Sequence, residues 1–168
     1  MKYLKAFIGV IILTALDQWS KYMVLIHVKP VGSIPLIKNI LSFTYHENRG
    51  AVWGIMQGQI PVLILTTLVI LIGVLWIYTR IPEERKYIWL HLVSILVISG
   101  AIGNFIDRAF RHYVVDFIYF EPIDFPIFNV ADMYVVIAAA LLIFVVLFVY
   151  KEDTDFDFIQ FKKRGSHE

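Results

Sequence analysis

The sequence has no cysteine and little charge, and each absence excludes a class of protein. Without cysteine there is no disulfide framework, no thiol nucleophile and no cysteine-ligated metal. The five histidines (His27, His46, His91, His112 and His167) show no pair at a metal-ligand spacing, so we expect no metal site. A net charge of +1 gives no reason to expect a nucleic-acid partner. Only 17% of the 168 residues are charged, too few to solvate a compact surface.

Apolar residues take the place of the missing charge. They make up 59% of the chain, with a mean hydropathy of +0.72, whereas about 45–50% is usual in a globular domain. We therefore predict one membrane-embedded domain over residues 1–150. Its apolar segments are long enough to cross a bilayer as helices, at about 1.5 Å per residue. The sequence thus predicts an α-helical membrane protein with four transmembrane helices, at 6–26, 60–79, 88–108 and 130–150.

The first apolar segment has two interpretations. Lys2 and Lys5 followed by the run Ala6–Leu16 resemble a secretory signal peptide. However, no small-residue cleavage site follows, and apolar residues resume after Lys21, so we favour a retained helix. Asp17 and Lys21 are four residues apart and share a face. That face is expected to point into the protein, because lipid exposure would cost a few kcal/mol per charge.

Residues 28–58 have a different pattern from the helices around them. Apolar and polar residues alternate over 41–46, which predicts a half-buried strand, and the motif HENRGAVWG follows. The simplest interpretation is a small surface sheet. A more specific one is a β cradle at the membrane surface that holds substrate backbone, with the amide of Asn48 able to donate and accept and Gly50 allowing a tight turn. Trp53 suits the membrane interface.

Polar residues mark the end of the third helix and the start of the fourth. Gly100, Asn104 and Arg108 are spaced i, i+4, i+8 and form one stripe with a small residue for close packing. Asn129 is placed to cap the fourth helix. Asp132 then falls in its first turn, where the helix dipole favours a carboxylate.

Lysine and arginine indicate how the four helices are oriented, since four crossings put both termini on one side. The terminal side carries nine of them (Lys2, Lys5, Arg80, Arg85, Lys86, Lys151, Lys162, Lys163, Arg164) and the other side six (Lys21, Lys29, Lys38, Arg49, Arg108, Arg111). We therefore expect cytoplasmic termini and a poorly ordered cytoplasmic tail at 151–168. The β cradle and an aromatic, amphipathic loop at 109–128 would lie outside.

In this topology the unusual polar residues fall at one depth, near the outer leaflet (Asp17, Lys21, Asn104, Asp107, Arg108, Asp116, Asn129, Asp132). We interpret Asp116 and Asp132 as a pair. Two nearby carboxylates cannot both ionise easily, so the pKa of one rises while that of the other stays low. Such a pair can hydrolyse an amide: one carboxylate takes a proton from water and the other, protonated, polarises the carbonyl group.

Two other functions fit parts of the pattern. Asp17, Asp116 and Asp132 could be a proton relay in a small transporter, although we find no internal repeat and the carboxylates share one depth instead of following a path. A non-enzymatic scaffold for membrane assembly is the third possibility. It predicts that Asp116→Asn and Asp132→Asn are silent apart from stability.

At these residues the sequence closely resembles the lipoprotein signal peptidase (signal peptidase II) family, aspartic membrane proteases of bacteria. Five motifs occur in the family's order and spacing: DQWSK (17–21), NRGAVWG (48–54), GAIGNFIDR (100–108), VVDF (114–117) and FNVAD (128–132). The resemblance covers roughly residues 5 to 150 and leaves the tail outside.

The resemblance implies a reaction and a set of residues. The enzyme would lie in the bacterial plasma membrane and would need no cofactor. It would cleave a diacylglyceryl-modified prolipoprotein before its lipidated cysteine. Asp116 and Asp132 would be the catalytic dyad. The other motif positions would bind substrate, support the dyad or hold the fold: Asp17, Lys21, Asn48, Gly50, Gly100, Asn104, Arg108, Asn129 and Ala131. The expected partners are the prolipoprotein and membrane lipid, with the enzyme a monomer.

Overall fold

The computed structural model of the chain describes residues 1–50 and 58–159. The last part of the predicted β cradle, with Trp53, and the last part of the tail lie outside these described residues. Within them the chain forms four long apolar helices and one three-stranded antiparallel sheet. Each of the four helices has the length and composition needed to cross a membrane.

The four predicted helices are confirmed, with differences at their ends. They are α1 (Lys2–His27), α2 (Ile60–Arg80), α3 (Ile88–Arg111) and α4 (Val130–Phe148). Helix α1 begins earlier than predicted, at Lys2, whose ammonium donates to the carbonyl oxygen of Ile81 at 2.7 Å. Helix α3 continues past 108 and stops where His112 takes a left-handed conformation.

Helix α3 is the centre of the bundle, since it packs against α1, α2 and α4. Gly100 lies directly against α4, since an added Cβ would be 2.5 Å from the carbonyl oxygen of Ala131. No larger side chain fits there without moving a helix. Gly100 therefore brings the first turn of α4 directly against α3.

The sheet consists of β1 (Ser33–Ile37), β2 (Leu41–Asn48) and β3 (Val114–Phe120), in that order. The strand predicted at 41–46 is confirmed as part of β2. The prediction of a loop over 109–128 is wrong for its centre, which is β3. The run VVDFIYF is rich in β-branched and aromatic residues, which favour strands. The aromatic residues that suggested an amphipathic loop belong in part to this strand.

The sheet packs on the end of α1 and holds Asp116 beside the helix ends. Val115 and Phe117 of β3 are buried against Val24 and Val28. Neighbouring side chains of a strand point to opposite faces, so Asp116 faces away from this cluster. In the register of the sheet, Asp116 lies opposite His46 of β2.

The first part of the tail is ordered, and the expectation of a poorly ordered tail is wrong there. Residues Asp153–Ile159 form a 3-10 helix. Phe156 and Phe158 pack on Tyr150 and Tyr87, and Asp155 forms an ion pair with Lys86. Aromatic burial thus attaches the end of α4 to the connection between α2 and α3, which a count of charges could not reveal.

Candidate active site

Asp116 of β3 and Asp132 of α4 line the same cavity, which has a volume of about 1120 Å³. Asn48, Asn104 and Arg108 contribute polar groups to its wall. The sheet side adds further residues, most of them polar: His46, Glu47, Arg49, Val114, Tyr119 and Asp124. The opposite part of the wall is apolar and comes from the segment before α4 and from α4 itself (Phe125, Pro126, Ile127, Phe128, Met133, Val135, Val136 and Ile137). The cavity therefore joins two carboxylates to the side of α4 that a bilayer would cover.

Asn129 contacts both carboxylates. Its side-chain amide donates to Asp116 Oδ1 at 2.6 Å, and its backbone N–H donates to Asp132 Oδ2 at 3.1 Å. Its side-chain oxygen accepts from the backbone N–H of Asp132, which completes a capping box at the start of α4. The predicted helix cap is confirmed, and the same residue fixes the two aspartates relative to each other.

Two further asparagines complete the hydrogen bonding of the pair. Asn48 donates to Asp116 Oδ2 at 2.9 Å, and Asn104 donates to Asp132 Oδ1 at 2.7 Å. Each oxygen of both carboxyl groups therefore accepts one N–H. Such bonds fix the rotamers of the two side chains before any substrate arrives.

A buried ion-pair cluster lies next to the pair. Lys21 Nζ is 2.9 Å from Asp17 Oδ2 and 3.0 Å from Asp107 Oδ2, and all three side chains are fully buried. The prediction that Asp17 and Lys21 share a face that points into the protein is confirmed. Asp17 also accepts from the backbone N–H of Ala131 at 2.9 Å. The cluster thus connects α1 and α3 to the first turn of α4.

Asp107 is the one member of this cluster that we left out of the predicted site residues. Besides Lys21, it binds the guanidinium of Arg111 and accepts from the backbone N–H of Val115 at 3.2 Å. Val115 is the neighbour of Asp116. A signal was available: Gly100, Gly103 and Asp107 are spaced i, i+3, i+7 and so share a helix face, and all three are buried.

The remaining predicted residues also gather here. Arg108 donates to the carbonyl oxygen of Gly50 at 3.3 Å, and its buried Nε has no hydrogen-bond partner within the described residues. Gly50 in turn donates its N–H to Asn48. The structure therefore brings together every residue that the motifs suggested: Asp17, Lys21, Asn48, Gly50, Gly100, Asn104, Arg108, Asp116, Asn129, Ala131 and Asp132.

Burial raises the pKa of Asp116 to about 7, and the negative charge of Asp132 contributes to the rise. The donors Asn48 and Asn129 and the ammonium of Lys21 act in the opposite direction. Asp116 can thus keep its proton close to neutral pH. In the described ranges no three His, Cys, Asp or Glu side chains are arranged to hold a metal ion.

A carboxyl group that keeps its proton near neutral pH, close to a second carboxylate, is the arrangement of an aspartic-type hydrolase, here within a bundle of membrane-spanning helices. Comparison with known proteins leads to the same class. The model of the signal peptidase (SPase) II family matches residues 9–148, and the chain belongs to this family.

Individual relatives agree with the family match. The lipoprotein signal peptidase of Anoxybacillus flavithermus is 42% identical over 142 residues, which cover 83% of this chain and 81% of the relative. That of Streptococcus thermophilus is 41% identical over 146 residues, covering 87% and 92%. A bacterial membrane enzyme solved by the in meso method at 2.3 Å resolution superposes with a TM-score of 0.77, at 30% identity, over 98% of this chain and 94% of its own.

The predicted family, fold and activity are thereby confirmed. The chain is a multi-pass membrane protein and an aspartic endopeptidase that removes signal peptides from prolipoproteins.

Proposed function

We propose that Asp116 and Asp132 are the catalytic dyad and that they hydrolyse the peptide bond before the diacylglyceryl-modified cysteine of a prolipoprotein. The observation that carries this proposal is the shared cavity, which both aspartates line and which has an apolar wall on α4. A lipid-modified peptide needs both features at once: polar groups at the scissile bond and an apolar surface for its acyl chains.

The two aspartates have different roles in this mechanism. Asp116 carries the shared proton, since its pKa is raised to about 7. Asp132 is the base, because the N-terminal dipole of α4 and the donors Asn104 and Asn129 favour its carboxylate form. Asp132 takes a proton from water, whose oxygen bonds to the carbonyl carbon, while Asp116 gives its proton to the carbonyl oxygen. The C–N bond then breaks, the amine takes the proton from Asp132, and Asp116 regains its own.

The other residues of the site hold the substrate or the dyad. Arg108 lines the cavity and donates to the carbonyl oxygen of Gly50. Its buried Nε has no hydrogen-bond partner within residues 1–50 and 58–159, so it can donate to a substrate carbonyl group that enters the cavity. Asn48 contacts Asp116 directly. The supporting residues act through hydrogen bonds, ion pairs or close packing next to the dyad: Asp17, Lys21, Gly100, Asn104, Asn129 and Ala131.

The location of the site follows from the distribution of charge. The excess of lysine and arginine at the termini and at the α2–α3 connection supports cytoplasmic termini in a bacterial plasma membrane. The dyad, at the opposite ends of α3 and α4, is then near the outer leaflet, where membrane lipid and the lipidated substrate reach the cavity sideways. One chain supplies all the groups described, which supports a monomeric enzyme.

Cleavage of a purified diacylglyceryl prolipoprotein in nanodiscs, read as a mass shift, tests this function. Wild type is expected to release the signal peptide from the lipidated substrate and to leave the unlipidated form intact. Asp116→Asn is the negative control and is expected not to cleave. Equal cleavage of both substrates would contradict a site built for the diacylglyceryl group, and no cleavage by wild type, where another signal peptidase II cuts, would reject the function.

A further inference from the structure

Outside the membrane-spanning helices, exposed apolar side chains collect at one place in the described chain. This is the end of the sheet that lies farthest from Asn48, formed by the turn at 36–40 and the turn at 120–125; we call it the sheet tip. Its large apolar side chains are 38–69% exposed: Leu36, Ile37, Ile40, Phe120, Ile123 and Phe125. Turns that face water are usually rich in polar residues, so this composition needs an explanation.

Backbone contacts hold the two turns of the sheet tip together. The backbone N–H of Glu121 donates to the carbonyl oxygen of Ile40 at 3.0 Å and joins the two turns. Asn39 and Asp124 take left-handed conformations that close each turn. The apolar side chains are therefore held together as one surface.

This surface continues into the part of the protein that lipid covers. From the tip the chain returns along β3, where Phe128 and Ile118 exchange backbone hydrogen bonds of 2.8 and 3.1 Å, and it enters α4 at Val130. On the way Phe125 and Ile127 line the same cavity as Val136, whose side chain points outward from α4. An uncharged surface thus runs from the side of α4 through residues 126–128 to Phe125. The carboxylates of the tip, Glu121 and Asp124, follow beyond Phe125, and Asp124 accepts a hydrogen bond from the hydroxyl of Tyr119 at 2.7 Å.

The dimensions of the sheet allow the tip to reach the bilayer. Asp116 and Phe120 are four residues apart on β3, which corresponds to about 13 Å along an extended strand. Asp116 itself is adjacent to the first turn of α4, where that helix enters the membrane. The tip is therefore within about 13 Å, one short strand, of the depth at which α4 begins.

We propose that the sheet tip inserts into the interfacial layer of the outer leaflet and is a membrane anchor in addition to the four helices. Lys38, between Ile37 and Asn39 at the tip, can extend its ammonium to a lipid phosphate while its stem stays in the apolar layer. Such an anchor fixes the height of Asp116 relative to the lipid. The choice of leaflet rests on the proposed function, whereas the insertion itself does not.

Depth measurements in nanodiscs test the anchor, and the absence of native cysteine makes single labels possible. Ile37→Cys and Ile123→Cys are labelled with an environment-sensitive fluorophore in phosphatidylcholine–phosphatidylglycerol nanodiscs. Ile72→Cys, on the outward face of α2, is the lipid control, and Glu84→Cys, in the exposed α2–α3 connection, is the water control. We expect both tip labels to lose fluorescence to nitroxide carried on lipid, as the Ile72 label does.

The opposite result would contradict the proposal. If the tip labels are quenched only by aqueous iodide, as the Glu84 label is, the tip faces water and is not a membrane anchor. Prolipoprotein cleavage by the same labelled variants separates this question from the proposed function. Cleavage without quenching by lipid would reject the proposed anchor and leave the proposed function intact. Quenching by lipid in a protein that does not cleave would support the anchor and reject the proposed function.

Discussion

The ammonium nitrogen of Lys21 lies 3.0 Å from the amide oxygen of Asn104, and this contact determines which way the Asn104 amide faces. A lysine ammonium can only donate, so the amide must present its oxygen to Lys21 and its NH2 group to Asp132, 2.7 Å away. A cation on α1 thereby controls a hydrogen bond to one member of the proposed dyad on α4.

Lys21→Met should strongly destabilise the protein. The substitution leaves Asp17 and Asp107 buried without their cation, and breaking a buried ion pair costs about 3–5 kcal/mol. Lys29→Met is the matched control, because its pair with Glu47 is partly exposed and such pairs contribute about 0–1 kcal/mol. Unfolding in detergent measures both variants. Equal stability of Lys21→Met and wild type would show that the cluster does not hold the fold.

Asp107→Asn should lower kcat more than it changes KM. Asp107 touches no substrate group in our account; it positions β3 through Val115 and orients Lys21. A small displacement of a catalytic group can reduce the rate up to about 100-fold. Glu121→Gln, a charge removal on the same side of the membrane and away from the dyad, should leave kcat unchanged. If KM alone rises in Asp107→Asn, the residue acts on binding and our assignment is wrong.

The rate should fall as the pH rises through about 7, where Asp116 loses the proton that the mechanism requires. Asn48 lowers the pKa of Asp116, so Asn48→Ala should move this basic limb of the kcat/KM profile to higher pH. Ser33→Ala, on the same sheet, should leave it in place. A limb that stays at the wild-type pH in Asn48→Ala would exclude Asp116 as the titrating acid.

The same pKa has a consequence for stability. The folded-state pKa of Asp116, about 7, lies above the unfolded value of about 3.9, so the folded protein holds this proton more tightly. The contribution of Asp116 to stability is therefore complete below about pH 4 and is lost as the pH rises through about 7. In Asp116→Asn this part of the pH dependence of the unfolding free energy should disappear. Its persistence would assign it to another group.

Gly100→Ala should disturb both stability and cleavage. The new methyl group would lie 2.5 Å from the carbonyl oxygen of Ala131 and 2.8 Å from Val135, so α4 must move away from α3. Overpacking of this kind costs about 1–3 kcal/mol. Gly73→Ala on α2 is the control, since nothing lies within 4 Å of its added Cβ. Thermal unfolding of the two variants should separate them, and identical curves would show that the helices are not in close contact at Gly100.

The sequence predicts best what depends on local pattern. Hydropathy defines all four helices, and the asparagine before a hydrophobic run correctly marks the start of α4 at Val130. Strand β3 is harder to predict because its partner β2 lies far away in the chain, and no local pattern shows which segments will pair. The order of residues 153–159 depends likewise on aromatic contacts with Tyr87, which is distant in sequence.

Much of the candidate site was predictable for a different reason. Charged groups inside a membrane protein are costly, so the few that occur stand out in the sequence. Asp107 was missed because it lies beside the polar stripe, immediately before Arg108, and an Asp–Arg neighbour pair is common at helix ends. Its bond to the backbone of Val115 depends on where β3 lies, which only the structure gives.

The central claim, that Asp116 and Asp132 act as one catalytic unit, is tested most directly by single-turnover cleavage with both single asparagine variants and the double variant. Unfolding curves first establish that all three are folded. Groups that act as a unit give non-additive losses, so each single variant should lose about 10⁴-fold or more and the double variant little beyond that. A folded single variant that cleaves at the wild-type rate would contradict the claim.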